Sequence, residues 1–101
     1  MTALPSSILF VCSENALRSP MAEALTKHRL GTSVFVDSVG VRDGELDPMA
    51  IAVMDEIGVD MSRHQSKRLD DLMDTSFEVI VTLSLEAQHK AIELTRVTAS
   101  E

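Results

Sequence analysis

The sequence predicts an α/β domain: a three-layer, doubly wound parallel sheet of about four strands, the last of them incomplete. Three observations carry this. A short continuous apolar run at residues 8–11 reads as a strand buried on both faces, and residues 34–36 and 77–83 read as two further strands. Between them lie segments with apolar residues at helical spacing, bounded by Asp, Ser, Pro and Gly where helices start and stop. Strand–helix alternation over 101 residues implies one domain with right-handed crossovers and helices on both sheet faces.

The first strand, 8–11, ends in Cys12. A helix is expected from Pro20 to about Leu30, with Pro20 at the first helical position, where a missing N–H costs nothing, and Gly31 as its stop. Ser19, just before it, suits an N-cap. The second strand, 34–36, runs into Asp37, Ser38, Val39 and Gly40, and residues 41–46 form a loop. Asp47 caps the next helix and Pro48 opens it; Ala50, Val53, Met54 and Ile57 form its apolar face, and Gly58 ends it. Residues 60–68 are polar and irregular, and Leu69, Leu72 and Met73 suggest a short third helix. The third strand, 77–83, leads into a fourth helix capped by Ser84 and reaching about Thr95. A fourth strand begins at Val97. No repeat or low-complexity segment occurs.

Composition narrows the function. The chain carries a net charge of −7 without a basic patch, so neither nucleic acid nor an anionic membrane is an expected partner. Its three aromatics are all Phe, leaving aliphatics and six Met to fill the core. A single cysteine cannot form an internal disulfide, which points to a reducing compartment. The first residues lack the basic and long apolar regions of a secretion signal, and no apolar run is long enough to span a membrane. A cytoplasmic location is expected.

The chemistry concentrates between Phe10 and Pro20. A strand delivers Cys12 to a loop of five residues, Ser13, Glu14, Asn15, Ala16 and Leu17, which closes on Arg18, Ser19 and a helix. Peptide N–H groups at a helix N-terminus attract anions, and the same field favours thiolate over thiol. Arg18 supplies a planar fork of donors suited to a phosphoryl group. Cys12 is therefore the candidate nucleophile, Arg18 the candidate anion clamp, and the loop amides of residues 13–18 the remaining donors. Ser19 can direct its hydroxyl at the sulfur. Asn15 tolerates a left-handed backbone in mid-loop. His28 and His89 sit among charged residues and read as surface. No His, Cys or carboxylate cluster has metal-ligand spacing, and neither lysine-type phosphate loops nor three-glycine dinucleotide fingerprints occur, so no metal or cofactor is expected.

The longer string, Val11-Cys12 through Asn15 to Arg18-Ser19-Pro20 and then Ala22-Glu23, resembles the low-molecular-weight protein-tyrosine phosphatases. That resemblance implies a flavodoxin-like fold and hydrolysis of a phosphorylated protein or small phosphomonoester through a phosphocysteine. It also implies that Asn15 braces the loop through Ser38, after the second strand, and through His64 in the string Asp60-Met-Ser62-Arg-His64.

Three departures from the family's pattern qualify the expectation. Glu14 stands where the family commonly has glycine, and an acid in an anion-binding loop opposes its purpose unless it points away. Leu17 stands where a second cysteine usually protects the nucleophile, so oxidised Cys12 has no resolving thiol within these residues. Thioredoxin-coupled arsenate reductases share the fold but need additional cysteines. Finally, the family's leaving-group acid lies in an Asp-Pro loop followed by a final helix, and the chain is expected to lack both. Asp47-Pro48 is a helix start, not that acid. A sheet edge left open this way would be covered by a further segment or by pairing with a second copy. The alternative function is a phosphate- or phosphopeptide-binding module with impaired turnover.

Overall fold

β1 (Ser7–Cys12) is the central strand of a three-stranded parallel sheet, between β2 (Phe35–Gly40) and β3 (Val79–Thr82). The structure is a computed structural model that describes residues 4–42, 44–72 and 76–99. The register sets Phe10 beside Ser38 and Cys12 beside Gly40 on one edge, and Val11 beside Thr82 on the other.

Successive side chains of a strand face opposite ways, so β1 feeds two layers. Leu9 and Val11, both fully buried, join Val39, Leu69 and Ala87 in one apolar cluster. Ala87 belongs to α3 (Leu85–Ala99), which therefore covers that face. The face bearing Cys12 and Ser38 is covered by α1 (Arg18–Leu30), whose buried residues are Ser19, Pro20 and Glu23. α2 (Pro48–Glu56) packs Ala50 and Met54 into a second cluster with Val59 and Met61, lapped by Met21 and Ala24 of α1. The result is the three-layer, doubly wound, flavodoxin-like arrangement. Each fully buried aliphatic such as Leu9 or Val11 contributes about 1.5–3 kcal/mol.

Several elements differ from the sequence expectation. α1 starts at Arg18, so Pro20 is its third residue and Ser19 is not the cap; the N-cap position is Leu17, with no side-chain bond. Pro20 is tolerated there because the first four N–H groups of a helix have no intrahelical acceptor. β2 runs on through Asp37, Ser38 and Val39 to Gly40, because β1 offers it a pairing partner along all six residues. The short third helix is a single 3₁₀ turn, Leu69–Asp71, with Leu72 just beyond it and Met73 outside the described residues. β3 is confined to four residues of the expected seven. The fourth strand expected from Val97 is absent: residues 97–99 continue α3. Residues 85–99 hold no Gly or Pro, and extending a formed helix costs less than ending it without a stop signal.

α2 behaves as expected at its start, where the Asp47 side chain accepts from the Met49 N–H at 2.9 Å. Its inward face is narrower than the pattern suggests. Ala50 and Met54 are buried, whereas Val53 and Ile57 are 42% and 58% exposed. Ser84 does cap α3, its Oγ accepting from the Ala87 N–H at 3.1 Å. Among the described residues no helix is long and apolar enough to cross a membrane.

The strand order β2-β1-β3 places a switch point at Cys12. The chain leaves β1 towards β2 on one side and later returns to β3 on the other. Connections diverge at the carboxyl end of β1, and such switch points are where open α/β sheets bind ligands. Cys12 occupies that end.

Candidate active site

The loop from Cys12 to Arg18 is held from outside by its carbonyls. Cys12 O accepts from the Val41 N–H at 3.0 Å, Ser13 O from the Arg42 N–H at 2.8 Å, and Ala16 O from the Asp47 N–H at 2.8 Å. Asn15 O accepts from the Ser66 hydroxyl at 2.7 Å, and Leu17 O from the Met21 N–H at 3.2 Å. Every peptide here is trans, so each N–H points opposite to the carbonyl before it. Drawing these carbonyls outward turns the N–H groups of Ser13, Glu14, Ala16, Leu17 and Arg18 the other way. Those N–H groups stand at or before the N-terminus of α1, where the helix field adds to them.

Cys12 is 6% exposed and is the chain's only cysteine. Its Sγ lies 3.1 Å from the Asn15 N–H donor and 2.8 Å from Ser19 Oγ. The direction of the second contact follows from Asn15. Its Nδ2 donates to Ser19 Oγ at 2.8 Å, so the serine proton is left for the sulfur, the nearer acceptor, with Val39 O at 3.5 Å. Two donors therefore converge on Sγ.

Asn15 organises the rest. Its φ is 54°, the left-handed value that the sequence anticipates, and it has no solvent exposure. Nδ2 gives its second hydrogen to Ser38 Oγ at 3.0 Å, while Oδ1 accepts from the Lys67 N–H and His64 Nε2, both at 3.1 Å. The three elements named from the sequence, Asn15, Ser38 and His64, thus meet. The acceptor role of Oδ1 places the His64 hydrogen on Nε2.

Beyond Ser38 lies a residue to which the sequence alone assigns no role. Glu23, 8% exposed on α1, accepts the Ser38 hydroxyl at Oε1 and the Lys27 ammonium at Oε2, both at 2.5 Å. His64 Nδ1 stands 3.6 Å from the same carboxylate. The string Ala22-Glu23 is visible in the sequence, but its partner Ser38 lies on another element, so spacing alone cannot assign it. Burial draws the His64 imidazole below its usual 6.5, with Lys67 and Lys27 acting the same way and Glu23 and Asp37 opposing. A cleft of about 790 Å³ behind α1 reaches this network at Glu23 and His64, but not at Cys12 or Arg18.

Arg18 extends across the switch point, its Nη1 donating to Leu83 O just after β3 at 3.0 Å. Ser13 Oγ donates to Ser84 Oγ at 3.1 Å, joining the loop to the start of α3. Leu17 is exposed, and Ala16 is partly covered. Glu14 does point outward: its side chain is 48% exposed and pairs with Arg42 Nη1 at 3.2 Å. Arg42, which the sequence places only in a loop, also grips Glu86 of α3 through Nε and Nη2 at 3.1 Å. Gly40 must be glycine, since a Cβ there would sit 2.5 Å from Glu14 C and 2.6 Å from Asn15 N.

A buried thiol with two donors on its sulfur, at the head of a loop that ends in an arginine and a helix N-terminus, offers the chemistry to hold a tetrahedral oxyanion and attack its centre. Comparison with known proteins accords with this. Residues 7–101 match the family model "Low molecular weight phosphotyrosine protein phosphatase". An arsenate reductase of Staphylococcus aureus is 36% identical over 81 residues, 80% of this chain and 62% of the reductase. The tyrosine phosphatase amsI of Erwinia amylovora superposes with a TM-score of 0.76 at 29% identity, covering 90% of this chain and 62% of that one. YwlE of Bacillus subtilis superposes with a TM-score of 0.75 at 33% identity, covering 89% and 65%. This chain thus spans about three fifths of the length of these relatives. On sequence and fold alike, it belongs to the low molecular weight phosphotyrosine protein phosphatase family.

Proposed function

We propose that this chain hydrolyses phosphomonoesters, of the protein-tyrosine phosphatase type, through a phosphocysteine intermediate. The observation that carries the reading is the Cys12 sulfur, 2.8 Å from Ser19 Oγ and 3.1 Å from the Asn15 nitrogen, at the head of an amide-lined loop. The Cys12 thiolate attacks phosphorus in line; the S–P bond forms as the ester P–O bond breaks, and the leaving oxygen takes a proton from solvent water. Water then attacks phosphorus, the S–P bond breaks, and the thiolate and inorganic phosphate are released. Arg18 and the loop amides bind the equatorial oxygens, the usual largest source of rate in such transfers. Asn15, Ser38 and His64 hold the loop in shape. The nucleophile must stay reduced, which suits a cytoplasmic setting.

The test is hydrolysis of p-nitrophenyl phosphate by the 101-residue chain beside Cys12→Ser. That leaving group departs with little protonation, so the assay reads the loop and not a general acid. Turnover abolished in Cys12→Ser is the expected result; equal rates in both proteins would end the proposal. Vanadate or phosphate binding without turnover would favour the alternative of a phosphopeptide-binding module.

A second reading comes from the arsenate reductase relative. Arsenate is isosteric with phosphate, and Cys12 could attack arsenic in the same cradle. These residues hold no second thiol, so reduction would require an external dithiol or a low-molecular-weight thiol. Arsenite production with thioredoxin or glutaredoxin as reductant would establish it.

A further inference from the structure

We propose that Arg42 is a positioning residue for anion binding: it draws the Glu14 carboxylate out of the Cys12–Arg18 loop and cancels its charge. The inference rests on the phosphate-binding reading of that loop.

Glu14 stands two residues after the nucleophile, in a loop built to hold an anion. At a separation on the order of 8 Å, an uncompensated carboxylate weakens the binding of a dianion about threefold to tenfold at low ionic strength. The structure answers that penalty on one side of the loop. Arg42 places Nη1 at 3.2 Å from Glu14 Oε2. Its own main-chain N–H donates to Ser13 O at 2.8 Å, so the arginine is anchored to the loop whose charge it balances. Its opposite edge is held by both Glu86 oxygens, at 3.1–3.2 Å from Nε and 3.1 Å from Nη2. Glu86 lies in the first turn of α3, where the helix field offsets its charge.

The glycines on either side press the same residue. A Cβ on Gly44 would lie 2.6 Å from Glu14 O and 2.8 Å from Glu14 Cβ, and Gly40 is equally tight against Glu14 C. Gly40 and Gly44 are therefore both packed closely against Glu14. Both partners are about half exposed, and such pairs add little to folding stability. The consequence of the pair falls on the local potential of the cradle, not on the fold.

The experiment is a double-substitution cycle read by vanadate and inorganic phosphate binding. It compares the wild-type chain, Arg42→Gln, Glu14→Gln and the double variant, at low and at high salt. Arg42→Gln is expected to weaken binding about threefold to tenfold at low salt, with the loss shrinking as salt screens it. In p-nitrophenyl phosphate turnover the loss should fall on KM more than on kcat. In the Glu14→Gln background the same change should alter binding less than about twofold. Equal losses in both backgrounds would overturn the inference, because Arg42 would then act on the anion directly or only through the loop's shape. No loss in either would overturn it too. Should Arg42→Gln fail to fold, Arg42→Lys replaces it. Lysine keeps the charge, so most of the affinity should survive; a loss as large as about tenfold would overturn the charge argument. A wild-type chain that binds neither anion would instead remove the phosphate-binding reading, and the inference with it.

Discussion

Asn15 Nδ2 and Ser38 Oγ, separated by 23 positions in the chain, meet at 3.0 Å in a site from which solvent is excluded. Through that contact the loop that carries Cys12 is tied to β2. The other Nδ2 hydrogen reaches Ser19, and Ser19 reaches the sulfur. One amide side chain thus couples the sheet to the Cys12 sulfur.

Removing that side chain should be costly. Asn15→Ala strands two serine hydroxyls, the Lys67 N–H and His64 Nε2, and also forces a left-handed backbone on alanine. A loss of about 3 kcal/mol or more in urea unfolding is expected, with turnover falling by at least about tenfold. Asn15→Gly relieves the backbone but not the lost bonds, so it should recover only about 1 kcal/mol of the deficit. Full recovery by glycine would show that the side-chain network contributes nothing.

Ser19→Ala tests the proton given to sulfur. The hydroxyl is fully buried and 2.8 Å from Sγ, so in the proposed reaction its loss removes a hydrogen bond to the attacking sulfur. Such bonds are worth about 1.5–3 kcal/mol, which predicts a roughly 10- to 100-fold fall in kcat and slower alkylation of Cys12 by iodoacetamide at neutral pH. An unchanged alkylation rate would mean that Ser19 does not stabilise the thiolate.

Gly40→Ala introduces a methyl group against backbone that cannot yield, at 2.5 Å from Glu14 C. We expect about 1–3 kcal/mol of destabilisation and loss of phosphate binding, because the loop must shift to admit it. Thermal melts and phosphate titration of the variant would measure both. Wild-type affinity would show the loop to be more pliant than its packing implies.

His64 makes stability depend on pH below neutrality. Its imidazole is held below 6.5, chiefly by burial, so the unfolded chain takes up this proton before the folded one does. The stability it contributes is complete above the unfolded value and declines as pH falls through the folded one, at up to about 1.4 kcal/mol per pH unit between the two. Unfolding midpoints should therefore drop more steeply below pH 6.5 in the wild type than in His64→Gln. An NMR titration placing the His64 midpoint above 6.5 would reverse the sign and refute the prediction.

Local and distant relationships differ in how far the sequence makes them legible. The strand entering Cys12, the Asp47 cap, the Gly31 stop and the alternation of strands with helices are local matters, set by residues within a turn of one another. Propensity, capping chemistry and apolar periodicity act over that range, so the α/β class and the Cys12–Arg18 loop can be read from the sequence. The family string supplies Ser38 and His64 as well. Where the expectation fails, something outside the local window decides. β2 runs on to Gly40 because β1 pairs with it along all six residues.

By itself, then, the sequence determined the fold class, the Cys12–Arg18 string that carries the family resemblance and the asparagine suited to a left-handed turn. Tertiary structure alone decided the direction of the Ser19 proton, the burial of Glu23 behind Ser38 and the pairing of Glu14 with Arg42. Each of these joins residues on different elements, brought within 3.5 Å by the β2-β1-β3 order and the packing of α1 and α3. Electrostatics and hydrogen bonding act at that distance regardless of separation along the chain. Residue identities announce which groups are available, but only the packed sheet determines which of them meet.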